Sequence, residues 1–109
     1  MNIEQSKIDE ESCVNVEYRI RDEIMPIFIG VARVREYEGE VAIDLINVNP
    51  NRRGEGIGTK LLEKIVNDYD NHLLTVTTFP YLEEWYEEFG FKKTYKKGNL
   101  IHMVREPRM

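Results

Sequence analysis

The sequence contains little cysteine and no long apolar run. Cys13 is the only cysteine among 109 residues, so no disulfide can form within the chain. Its position beside a strand pattern is more typical of a small packed residue than of a nucleophile. The longest apolar run, residues 27–32, is far shorter than the ~20 residues of a membrane-spanning helix. We therefore expect neither a disulfide framework nor a membrane span.

The first residues of the chain include few basic ones, and acidic residues outnumber basic residues in the whole sequence. The first residues are acidic and polar, whereas a signal peptide begins with basic residues before an apolar core, so we expect a cytoplasmic protein. The formal net charge of −5 and a pI near 5.1 argue against nucleic acid as a partner. The two histidines, His72 and His102, are more typical of surface or turn positions, and we expect no metal site.

The length and composition are those of one folded domain, residues 1–109. Hydrophobic residues make up 41% of the chain and charged residues 32%, which is ordinary for a globular protein. Residues 1–12 carry four acids and little periodicity. Two alternatives stay open for them, a poorly ordered lead or a short edge element.

Hydrophobic periodicity divides the remaining chain into strands and helices. Alternating or β-branched residues predict strands over residues 14–20, 27–37, 41–48 and 73–77. Apolar residues at helical spacing predict a helix over residues 57–69. A second helix is predicted to begin at Thr78 or Phe79 and to end at Gly90. With a closing hairpin over residues 91–104, the predicted order is three or four strands followed by α-β-α-β-β, which is an α+β fold.

A glycine-rich loop joins the strand at residues 41–48 to the first helix. It reads Arg52-Arg53-Gly54-Glu55-Gly56-Ile57-Gly58-Thr59. Glycines at alternate positions let several backbone N–H groups converge on one anion, and the first helical turn adds the positive end of its dipole. The spacing fits neither a P-loop nor the dinucleotide fingerprint. The loop therefore predicts a phosphate site of another type, with a turn that binds no ligand as the alternative.

Two motifs of the chain resemble those of the GCN5-related N-acetyltransferases, the GNAT superfamily. The pattern Arg53-x-x-Gly56-x-Gly58 is similar to the family's pyrophosphate-binding motif. Residues 85–91, Trp-Tyr-Glu-Glu-Phe-Gly-Phe, are similar to the family's helix that carries a tyrosine and ends in Gly-Phe. The resemblance implies a mixed, mostly antiparallel sheet with two main helices, in which a splayed strand pair holds acetyl-CoA.

The resemblance also implies roles for individual residues. The backbone N–H of Val48 would face the thioester carbonyl of acetyl-CoA and stabilise an oxyanion. Tyr86 would be the general acid that protonates the departing thiolate, with a core aromatic residue as the alternative. Arg52 would screen the 3′-phosphate or the solvent side, with a solvated charge as the alternative. The other residues implied to bind the cofactor are Arg53, Gly54, Glu55, Gly56, Ile57, Gly58 and Thr59.

Asp44 is the candidate general base, because family members often place an acid or a histidine on the strand before the loop. It interrupts an apolar strand and would share a face with Ala42 and Ile46 if the strand were regular. A partly desolvated carboxylate is a better proton acceptor than one in water. The alternative is a rim carboxylate paired with Arg33 or Arg35, and both interpretations stay open.

The chain departs from the family at two places. Many members have an asparagine where this chain has Phe79 and an alanine where it has Leu82, which puts one hydrogen bond to the pantetheine arm in doubt. Residues 1–40 show no helix of the kind that covers the acceptor site in most members. The resemblance therefore implies an open acceptor groove, suited to a protein lysine, a chain N-terminus or a site completed by a second copy. A homodimer is favoured, because the short front leaves sheet and groove uncovered.

The activity implied by the resemblance is direct transfer of an acetyl group from acetyl-CoA to a primary amine in a ternary complex, without a metal. Two alternatives from other functional classes stay open. One is a module that binds CoA or an acyl-CoA without catalysis, and the other is an interaction protein on the same fold.

Overall fold

The computed structural model describes residues 2–108, which contain seven β-strands and two α-helices. The strands are β1 (Ile3–Asp9), β2 (Val14–Arg21), β3 (Phe28–Tyr37), β4 (Glu40–Val48), β5 (Leu73–Thr78), β6 (Lys92–Lys97) and β7 (Leu100–Arg105). The helices are α1 (Ile57–Asp68) and α2 (Glu83–Glu87), and each is preceded by a short 3-10 helix, at Pro50–Arg52 and Pro80–Leu82. The alternative with four strands before the first helix is therefore confirmed.

All seven strands belong to one sheet, in the order β1-β2-β3-β4-β5-β7-β6. Neighbouring strands are antiparallel except for β4 and β5, which are parallel. A parallel pair cannot be closed by a tight hairpin, and α1 supplies the crossover between β4 and β5. The mixed, mostly antiparallel sheet with two helices agrees with the predicted α+β fold.

The first strand settles the open question about the start of the chain. β1 pairs with β2 along its whole length, from Ile3 opposite Ile20 to Asp9 opposite Val14. The edge element was the correct alternative, and a poorly ordered lead is wrong for residues 3–9. Its side chains are mostly polar on both faces, so the strand is held by backbone pairing and lacks the periodicity that marks a buried strand.

One face of the sheet carries the hydrophobic core. Register partners in antiparallel strands point to the same face, and on β2 the buried side chains are Val16, Tyr18 and Ile20. α1 covers this face with the residues that helical spacing predicts, namely Ile57, Leu61, Leu62, Ile65 and Val66. The buried Tyr86 of α2 belongs to the same cluster. The predicted apolar face of the first helix is therefore confirmed.

The opposite face of the first four strands is polar and charged. Arg33 and Arg19 both donate to the Glu17 carboxylate, at 2.8 and 3.2 Å, and Arg35 pairs with Asp44. In residues 2–108 no helix packs on this face. The uncovered sheet that the short front implies is therefore present.

β4 is not a regular strand. Its register against β3 shifts near Asp44, which has no partner in the ladder, so the strand contains a β-bulge. Ala42 is the partner of Arg35 and faces the open side, whereas Ile46 is the partner of Ala32 and faces the core. The expectation that Asp44 shares a face with both Ala42 and Ile46 is wrong, because the extra residue reverses the alternation.

The second helix begins later than predicted. Residues 80–82 form a 3-10 turn, and the α-helix itself covers only Glu83–Glu87, so a start at Thr78 or Phe79 is wrong. Pro80 opens the 3-10 turn, where the missing N–H costs nothing. Gly90 has a φ of +93° just after α2, which confirms the predicted end. Among residues 2–108, none of the helices combines the length and apolar character needed to cross a membrane.

Candidate active site

β4 and β5 separate part of the way along their length. Their register partners run from Glu40 opposite Leu73 to Ile43 opposite Val76. β4 then continues to Val48 without a partner in β5. The result is a gap between two parallel strands, which is the splayed pair that the resemblance implies.

The glycine-rich loop follows directly after β4. The Asn49 side chain accepts a hydrogen bond from the N–H of Asn51 at 3.0 Å and so caps the 3-10 turn. Gly54 and Gly56 then have φ values of +85° and +77°, which favour glycine because a Cβ would be strained. Helix α1 starts at Ile57, and no side chain among the described residues caps its N-terminus.

The backbone donors of this loop are available to a ligand. Within residues 2–108, no backbone N–H from Arg53 to Thr59 donates a hydrogen bond to another residue. Six of these seven residues, all except Glu55, line a cavity of about 580 Å³, together with the end of β4 and with Tyr81, Leu82, Trp85 and Tyr86. Several N–H donors and the N-terminus of a twelve-residue helix therefore face one space, which suits a phosphate or diphosphate.

Gly30 brings the first turn of α1 close to the sheet. A Cβ at this position would lie 2.6 Å from Cγ2 of Ile57 and 3.2 Å from Cδ1 of Leu61, both of which are buried. Only glycine allows this approach, because no real Cβ sits so near another side chain. Sequence reasoning missed Gly30, although a glycine inside an apolar strand is the signal for a close approach of this kind.

Arg52 is held by two carboxylates. Its Nε and one terminal nitrogen donate to Glu55 at 2.8 and 3.0 Å, and its other terminal nitrogen donates to Asp22. These partners raise the pKa of the Arg52 guanidinium. The backbone N–H of Met25, the Arg52 guanidinium and the N–H of Ile24 lower the pKa of Asp22 to about 2. Asp22 thus ties the β2–β3 turn to the loop, a role that sequence reasoning missed.

Arg53 has different surroundings from its neighbour. Its side chain is exposed and has no hydrogen-bond or ion-pair partner in the part of the chain that the structure describes. It also lines the cavity beside the loop. Of the two adjacent arginines, Arg53 is the one whose charge is free to meet an anion.

The backbone N–H of Val48 points into the gap. Gly30 and Val48 are register partners, and the N–H of the next residue, Asn49, donates to the carbonyl oxygen of Ile29 at 2.8 Å. In an antiparallel ladder this pattern makes Gly30 and Val48 a pair without mutual hydrogen bonds, so their N–H groups point away from each other. The Val48 N–H therefore faces the side where β5 no longer pairs.

Tyr86 lies at the other side of the gap, on α2. The residue is 4% exposed, and its ring packs edge to face against Trp85 at 4.9 Å and Phe91 at 5.4 Å between centroids. In residues 2–108 its hydroxyl has no hydrogen-bond partner. Burial raises the pKa of Tyr86 to about 12. The Trp85 indole N–H lies 3.4 Å from the Thr59 hydroxyl, so α2 contacts the first turn of α1.

A second cavity of about 380 Å³ lies along the gap and includes Asp44. Four residues line both cavities, namely Ile46, Tyr81, Leu82 and Tyr86. The two spaces therefore meet at the tyrosine. A donor held by the loop and an acceptor in the second cavity would approach each other there.

Asp44 lines the second cavity and also forms an ion pair. Arg35 Nε donates to both of its carboxylate oxygens, at 2.8 and 2.7 Å. The Asp44 side chain is 33% exposed, so the carboxylate lies at the rim of the cavity. The alternative interpretation, a rim carboxylate paired with Arg33 or Arg35, agrees with the pairing to Arg35, and the role of Asp44 as a general base stays a prediction.

A family model described as an acetyltransferase (GNAT) domain matches residues 5–102 of this chain. The chain belongs to the GNAT acetyltransferase family. The matched residues include the loop, the gap and Tyr86, so the whole candidate site lies inside the GNAT domain. Within residues 2–108 no group of three or more histidine, cysteine, aspartate or glutamate residues is arranged to hold a metal ion.

Solved structures of other GNAT proteins share this fold. An acyl-CoA N-acyltransferase from Pseudomonas aeruginosa is 18% identical, with a TM-score of 0.71 over 84% of this chain and 68% of that chain. The ribosomal-protein-S18-alanine N-acetyltransferase from Escherichia coli is 17% identical, with a TM-score of 0.73 over 93% and 73%. An acetyltransferase from Bacillus cereus is 22% identical, with a TM-score of 0.68 over 84% and 71%. None of the curated proteins matches the chain by sequence.

Proposed function

We propose that the protein transfers an acetyl group from acetyl-CoA to a primary amine by direct attack in a ternary complex. The observation that supports this most is the meeting of two cavities at Tyr86, in the gap between β4 and β5. One of the cavities is lined by the glycine-rich loop with its free backbone donors. The S18-alanine N-acetyltransferase, which shares the fold, supports an amine as the class of acceptor.

The loop supplies the donor side of the proposed reaction. The N–H groups from Arg53 to Thr59 would bind the diphosphate of acetyl-CoA, and the free Arg53 guanidinium would add a countercharge. Arg52 would act less directly, because Glu55 and Asp22 already occupy its donors. Its contribution is to fix the shape of the loop. With the diphosphate bound at the loop, the pantetheine arm of acetyl-CoA would run along β4 into the gap.

The acetyl transfer itself would use Val48 and Tyr86. The amine nitrogen attacks the thioester carbon, the C=O electron pair moves onto oxygen, and the Val48 N–H donates to that oxyanion. When the C=O bond re-forms, the C–S electron pair leaves with sulfur, and the Tyr86 hydroxyl donates a hydrogen bond and then its proton to the thiolate. A proton from the attacking nitrogen returns to Tyr86. The products are an amide and the thiol of CoA.

The acceptor enters as an ammonium ion and must lose one proton before it attacks. Asp44 is the carboxylate that lines the acceptor cavity, and it would accept this proton directly or through a water molecule. The Arg35 guanidinium, which donates to both Asp44 oxygens, would hold the carboxylate at the rim of this cavity.

Release of CoA thiol from acetyl-CoA, measured with a panel of primary amines, tests the proposed function. Amine-dependent thiol release above the rate of hydrolysis, with the acetylated amine seen by mass spectrometry, is the expected result. A module that only binds CoA would give tight binding without thiol release. An interaction protein that has lost the site would give no heat when acetyl-CoA is titrated into it. Either outcome would contradict the proposal.

Two further expectations accompany this function and stay predictions. A cytoplasmic location is expected from the sequence. A homodimer is expected because one sheet face of the first four strands carries no helix among the described residues, and analytical ultracentrifugation of the purified protein would test it.

A further inference from the structure

The acceptor cavity has an unusual chemical composition for a site that takes a cation. Nine of its twelve lining residues are apolar or aromatic, two are threonines, and Asp44 is the only charged one. The Asp44 carboxylate is already paired with Arg35 through both oxygens, at 2.8 and 2.7 Å. The cavity therefore offers one carboxylate for one ammonium group and no second anion for another.

A second positive charge on the acceptor would meet a cation instead. The Arg35 guanidinium lies against Asp44 and is 40% exposed at the rim of the cavity. Next to it on the same sheet face, Arg33 is 58% exposed. Arg33 is itself paired with Glu17 at 2.8 Å, so Arg35 is the cation at the rim that would repel the second ammonium group of a diamine. The charges thus favour an acceptor with a single amine.

The rim also carries two exposed aromatic rings. Phe79 and Tyr81 are stacked with 5.8 Å between ring centroids and 12° between ring planes. They are 52% and 79% exposed, whereas Tyr86, the third aromatic residue in the lining of this cavity, is buried. Phe79 lines only the acceptor cavity, and Tyr81 lines the donor cavity as well. Exposed rings of this size beside an apolar cavity form a surface on which a flat or apolar group can pack.

We propose that the acceptor is a primary amine carried on a single aromatic or aliphatic group, and that Phe79 selects it. This inference rests on the proposed function, because it assigns the second cavity to the acceptor. The cavity volume of about 380 Å³ lies at the small end of ligand sites, which fits a small arylalkylamine. Phe79 contacts the body of the acceptor, Asp44 faces its ammonium group, and Arg35 excludes a second charge.

Matched amines separate the contributions of charge and shape. Pentylamine and 1,5-diaminopentane differ only in the second amine, and 2-phenylethylamine adds a ring. Binding is measured by calorimetry or by NMR titration without acetyl-CoA, so that the result does not depend on catalysis. We expect pentylamine to bind at least about fivefold more tightly than the diamine, and 2-phenylethylamine to bind about fivefold more tightly than pentylamine.

The variant Phe79→Ala should abolish the advantage of the aromatic amine over pentylamine. Phe79→Leu, which keeps an apolar side chain, should retain the binding of pentylamine. Tyr95→Ala is the matched control, because Tyr95 is a 54% exposed aromatic residue outside the cavity, and it should change neither. Circular dichroism establishes that each variant is folded.

The outcomes distinguish this inference from the proposed function. Binding of the aromatic amine without acetyl transfer would sustain the inference and contradict the function. Acetyl transfer with a preference for the diamine would support the proposed function and contradict the inference. Equal affinities for all three amines, no amine binding, or an unchanged preference in Phe79→Ala would overturn the inference.

Discussion

Adjacent residues of the glycine-rich loop differ in what they can offer a ligand. The donors of Arg52 are occupied by Glu55 and Asp22, whereas the Arg53 side chain has no partner in the described chain. A hydrogen bond to a charged group is worth about 1.5–3 kcal/mol, and an arginine with free donors can form one without first breaking another. The electrostatic contribution of the loop is therefore concentrated in Arg53 and in the backbone N–H groups.

Replacing Arg53 tests this distinction. Arg53→Ala should weaken acetyl-CoA binding about tenfold or more, because a direct charged hydrogen bond is lost. Lys60→Ala is the control, since it removes one exposed positive charge from α1 outside the lining of the donor cavity, and it should have an effect of about twofold at most. The measurement is calorimetry at constant ionic strength. Equal losses in the two variants would show that Arg53 makes no direct contact.

The pKa of Tyr86 defines its role as a proton donor. Burial raises this pKa to about 12, compared with ~8.5 for a thiol, so transfer to a free thiolate is uphill by roughly 5 kcal/mol. The phenol is a weaker acid than the ordinary value near 10 suggests. In the proposed reaction, Tyr86 would therefore act mainly as a hydrogen-bond donor to the sulfur, and its proton would move only as a proton from the attacking nitrogen replaces it.

Tyr86→Phe should lower kcat by about 10²-fold or more and leave acetyl-CoA affinity nearly unchanged. Because a raised pKa keeps the phenol protonated, the wild-type kcat should show no decline caused by Tyr86 below about pH 11. The measurement is the pH dependence of kcat for both proteins. A decline near pH 10 that is present in the wild type and absent in the variant would contradict this assignment.

The sequence predicted the residues of the candidate site better than it predicted the residues that surround them. The motifs placed Arg53, the glycines and Tyr86 in one cavity, and the structure brings them together there. The pairing of Arg52 with Asp22 could not be predicted, because Asp22 is distant in sequence and local spacing carries no information about it. The orientation of Asp44 was also beyond prediction, since a β-bulge leaves no reliable signal in the alternation of one strand.

At the scale of the elements, the position of α1 decides whether the loop is open to a ligand. Its first turn approaches β3 at Gly30, and its N-terminus begins directly after Gly56. Gly58, two residues after Gly56, has room for a Cβ at 3.6 Å from Cγ2 of Val48 and 3.8 Å from Cζ2 of Trp85. Helix α1 thus makes one tight contact with the sheet, at Gly30, and has ordinary van der Waals spacing at Gly58.

Gly30→Ala should destabilise the protein by about 1–3 kcal/mol and weaken acetyl-CoA binding, because the new methyl group displaces the first turn of α1. Gly58→Ala is the matched control. Its methyl group makes ordinary van der Waals contacts, so the change in stability should stay within about 0.5 kcal/mol. Urea unfolding and calorimetry supply the two measurements. A Gly30→Ala protein as stable as Gly58→Ala would show that the contact is not tight.

Regular periodicity explains which elements could be predicted. The apolar spacing of α1 and the alternation of β2 determined both elements to within about two residues at each end. β1 was uncertain because polar side chains on both faces of an edge strand give no alternation. α2 was overextended because Leu82 and Tyr86 suit a longer helix, whereas the chain forms a 3-10 turn at Pro80.

At the scale of the whole molecule, two buried tyrosines join the sheet to the end of α1. The Tyr18 hydroxyl donates to Asp68 at 2.9 Å, and the Tyr69 hydroxyl donates to Glu36 at 2.6 Å. Burial, followed by these carboxylate partners, raises the pKa of both phenols. The neutral phenol is thus favoured in the folded state.

The raised pKa values of the two phenols determine how the free energy of unfolding changes with pH. An unfolded tyrosine ionises near pH 10, whereas the folded phenols keep their protons above it, so the free energy of unfolding should fall as the pH rises past about 10. Tyr18→Phe should flatten this fall, and Tyr95→Phe, at an exposed position, should not. Urea midpoints from pH 8 to 11 provide the measurement. Equal slopes in all three proteins would contradict the role of the buried phenols.

The proposed function requires that the loop bind the diphosphate of acetyl-CoA and direct its thioester into the gap beside Tyr86. An NMR titration of the ¹⁵N-labelled protein with acetyl-CoA tests this claim most directly. The account predicts the largest amide shift changes from Arg53 to Thr59, with a further change at Val48 that desacetyl-CoA does not reproduce. Saturable binding with unchanged amides in this loop, or no binding at all, would contradict it.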